Sequence, residues 1–155
     1  MSVLDHKMTQ AEIHLLTNHL PLFLPMIGAL ILIISIVINS EASKRIGYFI
    51  VFLGGLSALP AFLSGEGAEH IVEELGRSHE LIHEHEETAE IYAYLSYVVG
   101  LTALLGLYMN WKKKSLEKII LPIVLVGTLA LAYLSYETGN SGGKISHPEL
   151  IKEKD

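Results

Sequence analysis

Four uninterrupted apolar runs, Leu20 to Asn39, Ile46 to Gly65, Ala89 to Asn110 and Ile119 to Glu137, constrain this chain more than any other feature. A hydrocarbon layer about 30 Å thick is crossed by roughly 20 helical residues rising about 1.5 Å each, and each run reaches that length. Their central stretches carry no Asp, Glu, Lys, Arg or His. Backbone groups in lipid must be satisfied within their own segment, so such runs read as membrane helices. The chain has 155 residues, half of them hydrophobic, and these fall in continuous runs rather than in stripes. The expected fold is all-α: one integral membrane four-helix bundle spanning residues 1–155, capped by a polar helical segment over 66–88.

Orientation follows from the cations. Lys44 and Arg45 sit between the first two runs, and Lys112, Lys113, Lys114 and Lys118 between the last two, whereas segment 66–88 holds only Arg77. The positive-inside bias puts both short loops in the cytoplasm, and both termini and the 66–88 loop outside a bacterial inner membrane. The first apolar run starts late, is too long for a signal-peptide core and lacks a basic leader, so it is expected to stay as an anchor.

The chain has no cysteine, which excludes disulfides, iron–sulfur clusters, thiolate zinc and covalent c-type haem attachment. Imidazole, carboxylate and backbone oxygen remain as ligands. The formal net charge is −6, and the outward loop concentrates acid at Glu66, Glu69, Glu73, Glu74, Glu80, Glu84, Glu86 and Glu87. Such a surface repels nucleic acid and anionic lipid and attracts cations or basic partners.

Thr9 and Glu12 have capping-box spacing, which predicts a short helix from Ala11 to Leu20 lying near the membrane interface. Asn18 and Pro21 then start the first membrane helix. Pro25, Pro60 and Pro122 fall inside apolar runs, where each removes a backbone donor. Gly28, Gly54, Gly55, Gly100, Gly106 and Gly127, with Ser57, Ala58, Ala61, Ser96 and Ala103, permit close helix contact, and we read them as packing. Tyr108 and Trp111 at one boundary, and Tyr92, Tyr94, Tyr133 and Tyr136 at the other, read as aromatic belts. Ile71, Leu75, Leu81 and Ile82 recur at partly helical spacing within the polar cap. The run Gly139, Asn140, Ser141, Gly142, Gly143 predicts a turn that returns His147 to the same surface.

Seven histidines, His14, His19, His70, His79, His83, His85 and His147, lie at or beyond the outward helix ends. Imidazole is a common metal ligand and an axial ligand of haem, and helices of a bundle can present it from opposite sides. His19 and His85 form the preferred haem pair, with His14 and His147 available to a second site. His79, Glu80 and His83 spell H-E-x-x-H, a zinc-protease pattern; in a segment this rich in His and Glu, with no third ligand, we read it as coincidence. Glu66, Glu69, Glu86 and Glu149 are placed to complete a mixed nitrogen and oxygen site with His19, His85 and His147. No G-x-S-x-G elbow, phosphate loop or dinucleotide fingerprint occurs, and no catalytic residues are assigned.

The segments His14 to Pro21 (HLLTNHLP), Ala58 to Glu69 (ALPAFLSGEGAE), Ser78 to Ala89 (SHELIHEHEETA) and Gly142 to Glu149 (GGKISHPE) resemble a widespread family of bacterial four-helix membrane proteins, domain-of-unknown-function family 2231, over nearly the whole chain. The resemblance implies functional positions at His14 and His19, Glu66 and Glu69, His85 and Glu86, and His147. At His79 and His83 the family pattern is more often acidic, so H-E-x-x-H looks like a local departure. The resemblance also implies a tilt toward respiratory or cytochrome-type redox systems, by analogy of fold alone.

Three functions follow as expectations. The first is a membrane redox protein holding b-type haem near the outward face and passing electrons to a respiratory or redox partner protein. The second is a non-haem module that binds or senses a divalent transition metal through the His and Glu side chains of the cap. The third is an accessory structural subunit of a membrane complex, docked through its acidic cap, and an oligomer is compatible with all three.

Overall fold

The computed structural model describes residues 8–147, and among these the chain is wholly helical. The elements are α1 (Gln10–Thr17), α2 (His19–Val37), α3 (Glu41–Glu74), α4 (His79–Trp111) and α5 (Glu117–Ser146). α1 and α2 run together as one 28-residue segment, so there are four helical segments, each long and apolar enough to cross a membrane. The expected Pro148 and Glu149 at the chain end lie outside the described residues.

α2 packs on α3, α3 on α4, α4 on α5, and α5 closes back on α2. Short connections require this: helices joined by a few residues become antiparallel neighbours. Each connection contains one residue with positive φ, Asn39 (50°), Gly76 (79°) and Lys113 (52°). Only at Gly76 does the residue type make that conformation cost-free.

Three local expectations change. α1 does not stand apart from the bundle; it runs together with α2 and packs beside α3, where Gln10 meets Gly67 and His14 meets Gly65. Its start is the expected capping box, the Glu12 amide donating to the Thr9 hydroxyl and the Thr9 amide to the Glu12 carboxylate (3.2 and 2.8 Å). Segment 66–88 is helical as expected, but as continuations of its neighbours: α3 runs on to Glu74 and α4 begins at His79. The glycine run 139–143 is not a turn, because α5 passes through it to Ser146. Glycine favours a turn when the chain is solvated, whereas here Ser141 and Ile145 are buried on the bundle side and hold the helix together. All three revisions have one meaning: the bundle extends, still four helices thick, beyond its apolar span.

The interior is a column of Leu32, Tyr48, Val51, Tyr92, Val99, Ala103, Ile120, Val124 and Leu131, while the outward faces are also apolar, with Val126, Leu129, Leu101 and Phe23 exposed. Where apolar side chains cover both faces, association depends on close backbone approach and dispersion rather than on removal from water. The expected small residues provide that approach. A Cβ at Gly28 would stand 2.9 Å from the Gly47 carbonyl oxygen, and one at Gly55 would stand 2.5 Å from that of Ser96. Pro25 leaves the Pro21 carbonyl without its helical donor, and the buried Tyr92 hydroxyl donates to that oxygen from α4.

The end of the bundle that carries the lysines is closed by a polar network the sequence reading did not anticipate. Tyr48, fully buried, donates to Glu117 (3.1 Å), which lies 3.7 Å from the Lys44 ammonium. Lys44 also pairs with Glu41 (2.9 Å), Asn110 donates to Glu41, and Arg45 donates to the Asn110 side-chain oxygen (2.8 Å). The Lys44 and Asn110 hydrogen bonds hold the Glu41 carboxyl below its usual range. Three helices are thereby tied together.

Candidate cofactor site

At the opposite end, histidines arrive from two segments that are not sequence neighbours. His14 sits on α1, half-buried against α3, and its Nδ1 donates to the Ala61 carbonyl (2.9 Å). A carbonyl can only accept, so this bond fixes the proton on Nδ1 and leaves the lone pair on Nε2. Gly65 lies beneath the ring: a Cβ there would stand 3.8 Å from His14 Cε1.

His85 repeats the arrangement on α4 against α5. Its Nδ1 lies 3.0 Å from the Ser141 hydroxyl, and that hydroxyl donates onward to the Thr138 carbonyl (3.1 Å). With the Ser141 hydrogen on Thr138, Ser141 accepts from His85, an arrangement that puts the His85 proton on Nδ1 and its lone pair on Nε2. Gly142 makes room for the ring, a Cβ there standing 3.1 Å from Cε1. Thr88 braces the group, donating to the His85 carbonyl (2.9 Å) with its oxygen 3.3 Å from Ser141 Oγ.

The His85 imidazole titrates below its ordinary value. Burial is the larger cause and the charge of His14 the second, opposed by a backbone hydrogen bond at Thr138. His14 is thus within the electrostatic reach of His85, and His85 stays neutral, the state that can ligate, at lower pH than a free imidazole.

The other expected residues go elsewhere. His19, the preferred partner of His85, is exposed; it bonds to the side chain of Asn18 and stacks on Phe23 (centroids 6.4 Å apart, planes at 15°). His147 is exposed just past the end of α5, its amide donating to the Gly143 carbonyl (2.9 Å). Glu66 is exposed, and so is His70. Glu69 and Glu86 do meet: a hydrogen bond between them, with burial, raises the Glu69 carboxyl above the usual range. Among the described residues no three of His19, Glu66, Glu69, His85, Glu86 and His147 bring ligand atoms within 4.8 Å of one another.

A different trio comes together. Among the described residues Glu69, Glu73 and His79 each offer a ligand atom within 4.8 Å of the others, across the α3–α4 connection. His79 Nδ1 lies 2.8 Å from Glu73 Oε1, although its side chain is 81% exposed. His83 turns instead to Glu86 and Glu87 on its own helix (3.8 and 3.5 Å). The two histidines of H-E-x-x-H thus have separate carboxylate partners. The signals that could have selected His14 and His85 were the glycines opposite them, Gly65 and Gly142.

No family model, curated protein or solved structure matches this chain.

Proposed function

We propose that the protein is a membrane redox carrier that holds b-type haem between His14 and His85, in the part of the bundle that projects from an inner membrane on its outward side. The observation that carries this reading is the matched pair of imidazoles. Each comes from a different helix, each has Nδ1–H anchored to a neighbouring helix, and each has its ring over a glycine. Histidines that bind metal usually donate their other nitrogen in this way, which sets the tautomer and orients the lone pair. The donor set also fits haem chemically: two imidazole rings, with no carboxylate bonded to either among the described residues. Bound haem would supply a one-electron couple. The chain's own residues hold and orient the ligands, and the burial that depresses the His85 titration keeps that ligand unprotonated. Loops rich in lysine on the opposite side support the orientation, and the resemblance to family 2231 supports the redox class by analogy.

The test is the visible spectrum of detergent-purified protein expressed with ample haem, before and after dithionite. The wild type should show a Soret band and reducible haem features, retained in His19→Ala and lost in His14→Ala and His85→Ala. A folded, colourless wild type sinks the proposal.

A second reading, a non-haem divalent-metal module, has its own observation in the Glu69, Glu73 and His79 trio. Calorimetric titration with manganese or zinc should then show one site per chain that Glu73→Gln weakens and His14→Ala leaves intact. Equal binding by wild type and Glu73→Gln would remove this reading.

A further inference from the structure

The connection between α4 and α5 concentrates charge that the bundle does not neutralise. Lys112, Lys113, Lys114 and Lys118 are all exposed, and among the described residues none of them pairs with a carboxylate. Glu117, the carboxylate nearest to them in the chain, is buried and spent on Tyr48 and Lys44. The α2–α3 connection at the same end differs, because Glu41, Glu117 and Asn110 take up its Lys44 and Arg45. Backbone hydrogen bonds fix where the four lysines stand. The Lys112, Lys113 and Lys114 amides donate to the carbonyls of Tyr108, Asn110 and Met109 (3.0, 3.0 and 2.9 Å), and the Glu117 and Lys118 amides to those of Lys114 and Ser115 (3.2 and 3.1 Å). The connection is therefore a bonded turn rather than a loose loop. Lys113 holds its positive φ (52°) at a position where glycine would fit without cost. Apolar groups border the charges: Trp111 is 68% exposed, and Tyr108, Leu116 and Ile119 are exposed in the adjoining turns. An amphipathic ring next to lysines, with hydrocarbon side chains beyond, is the pattern of a bilayer interface.

We propose that the α4–α5 connection binds the headgroup of an anionic phospholipid, its phosphate held by Lys112, Lys113, Lys114 and Lys118 and its acyl chains lying along Leu116 and Ile119. Two features select this partner. Uncompensated ammoniums beside a membrane span attract phosphate, and the apolar border favours a molecule whose other half is hydrocarbon. An acidic protein or a nucleic acid answers the first feature and not the second. Haem plays no part in this site, so the two readings stand or fall separately.

Trp111 is the chain's single tryptophan, and its fluorescence reports the lipid beside these lysines. The full chain is reconstituted in phosphatidylcholine bilayers in which a small fraction of the lipid is brominated, either as phosphatidylglycerol or as phosphatidylcholine, bromine being a contact quencher. Brominated phosphatidylglycerol should quench more strongly, with an affinity relative to phosphatidylcholine of about fivefold or more, the effect of one lysine near an anionic surface. Replacing all four lysines by Gln should abolish the preference, replacing them by Arg should keep it, and Lys144→Gln at the histidine end should leave it unchanged. Lys112→Gln combined with Lys114→Gln, which leaves Lys113 in its turn, should lower the preference and decides the matter should the fourfold variant not fold. Equal quenching of the wild type by the two lipids overturns the proposal and leaves the patch to an acidic protein partner. A preference that survives loss of all four lysines overturns it too, since the selectivity then arises elsewhere.

Discussion

The two ends of the bundle use polar residues in opposite ways. At the lysine end Tyr48, Glu117, Lys44, Glu41, Asn110 and Arg45 bond to one another across three helices. At the histidine end His14 and His85 each spend Nδ1 on a neighbouring helix, at the Ala61 carbonyl and the Ser141 hydroxyl. A closed network adds stability and little else. Ring nitrogens held in place by a neighbouring helix are what a ligand needs, so on the proposed reading the histidine end carries function and the lysine end anchorage.

The difference is sharpest if each end is damaged separately. Glu117→Ala should have the largest effect on stability, because it leaves the Tyr48 hydroxyl and Lys44 ammonium without their buried acceptor. A loss of about 3 kcal/mol is expected, read as a fall of roughly 10 °C in thermal unfolding, with any haem spectrum unchanged per folded molecule. Gly142→Leu should do the reverse. Its added side chain displaces the His85 ring, weakening cofactor retention about tenfold or more while costing only about 1–2 kcal/mol of stability. Equal effects of both variants on stability and spectrum would break the division between the ends.

The smallest effect is that of pH. His85 titrates lower in the folded protein than in the unfolded chain, so between those two values the unfolded state binds more protons. Its contribution is therefore complete above the unfolded value of about 6.5 and is lost as pH falls below it, with a slope of at most about 1.4 kcal/mol per pH unit. Thermal unfolding from pH 7.5 to 5 should show this slope, and His85→Gln should flatten it. A slope that survives the substitution assigns the titration to another group.

Much of this was legible in the sequence for a physical reason: lipid imposes length and apolarity on each span, and four such runs leave few alternatives. The Thr9 capping box and the close-packing glycines were equally readable, since each depends on residues a few positions apart or on side-chain size alone. Choosing His14 over His19 was not. Five helical residues turn through about 500°, so the two rings point some 140° apart, and only the position of α3 decides which one faces inward. The same holds for Glu66 and Glu69. The 139–143 run misled because its glycines answer to Ser141 packing against His85, a contact 56 residues away. The lysine-end network escaped notice because its members are ordinary boundary residues until three helices bring them together.

α3 and α4, with 34 and 33 residues, are each about 50 Å long, against a hydrocarbon layer of about 30 Å. On the proposed orientation, His85 lies four residues, or about 6 Å, beyond the start of its apolar run. A group held there experiences almost none of the voltage drop across the bilayer, where a full crossing is worth about 2.3 kcal/mol per charge at 100 mV. An electron could arrive or leave at a midpoint potential insensitive to how strongly the membrane is energised.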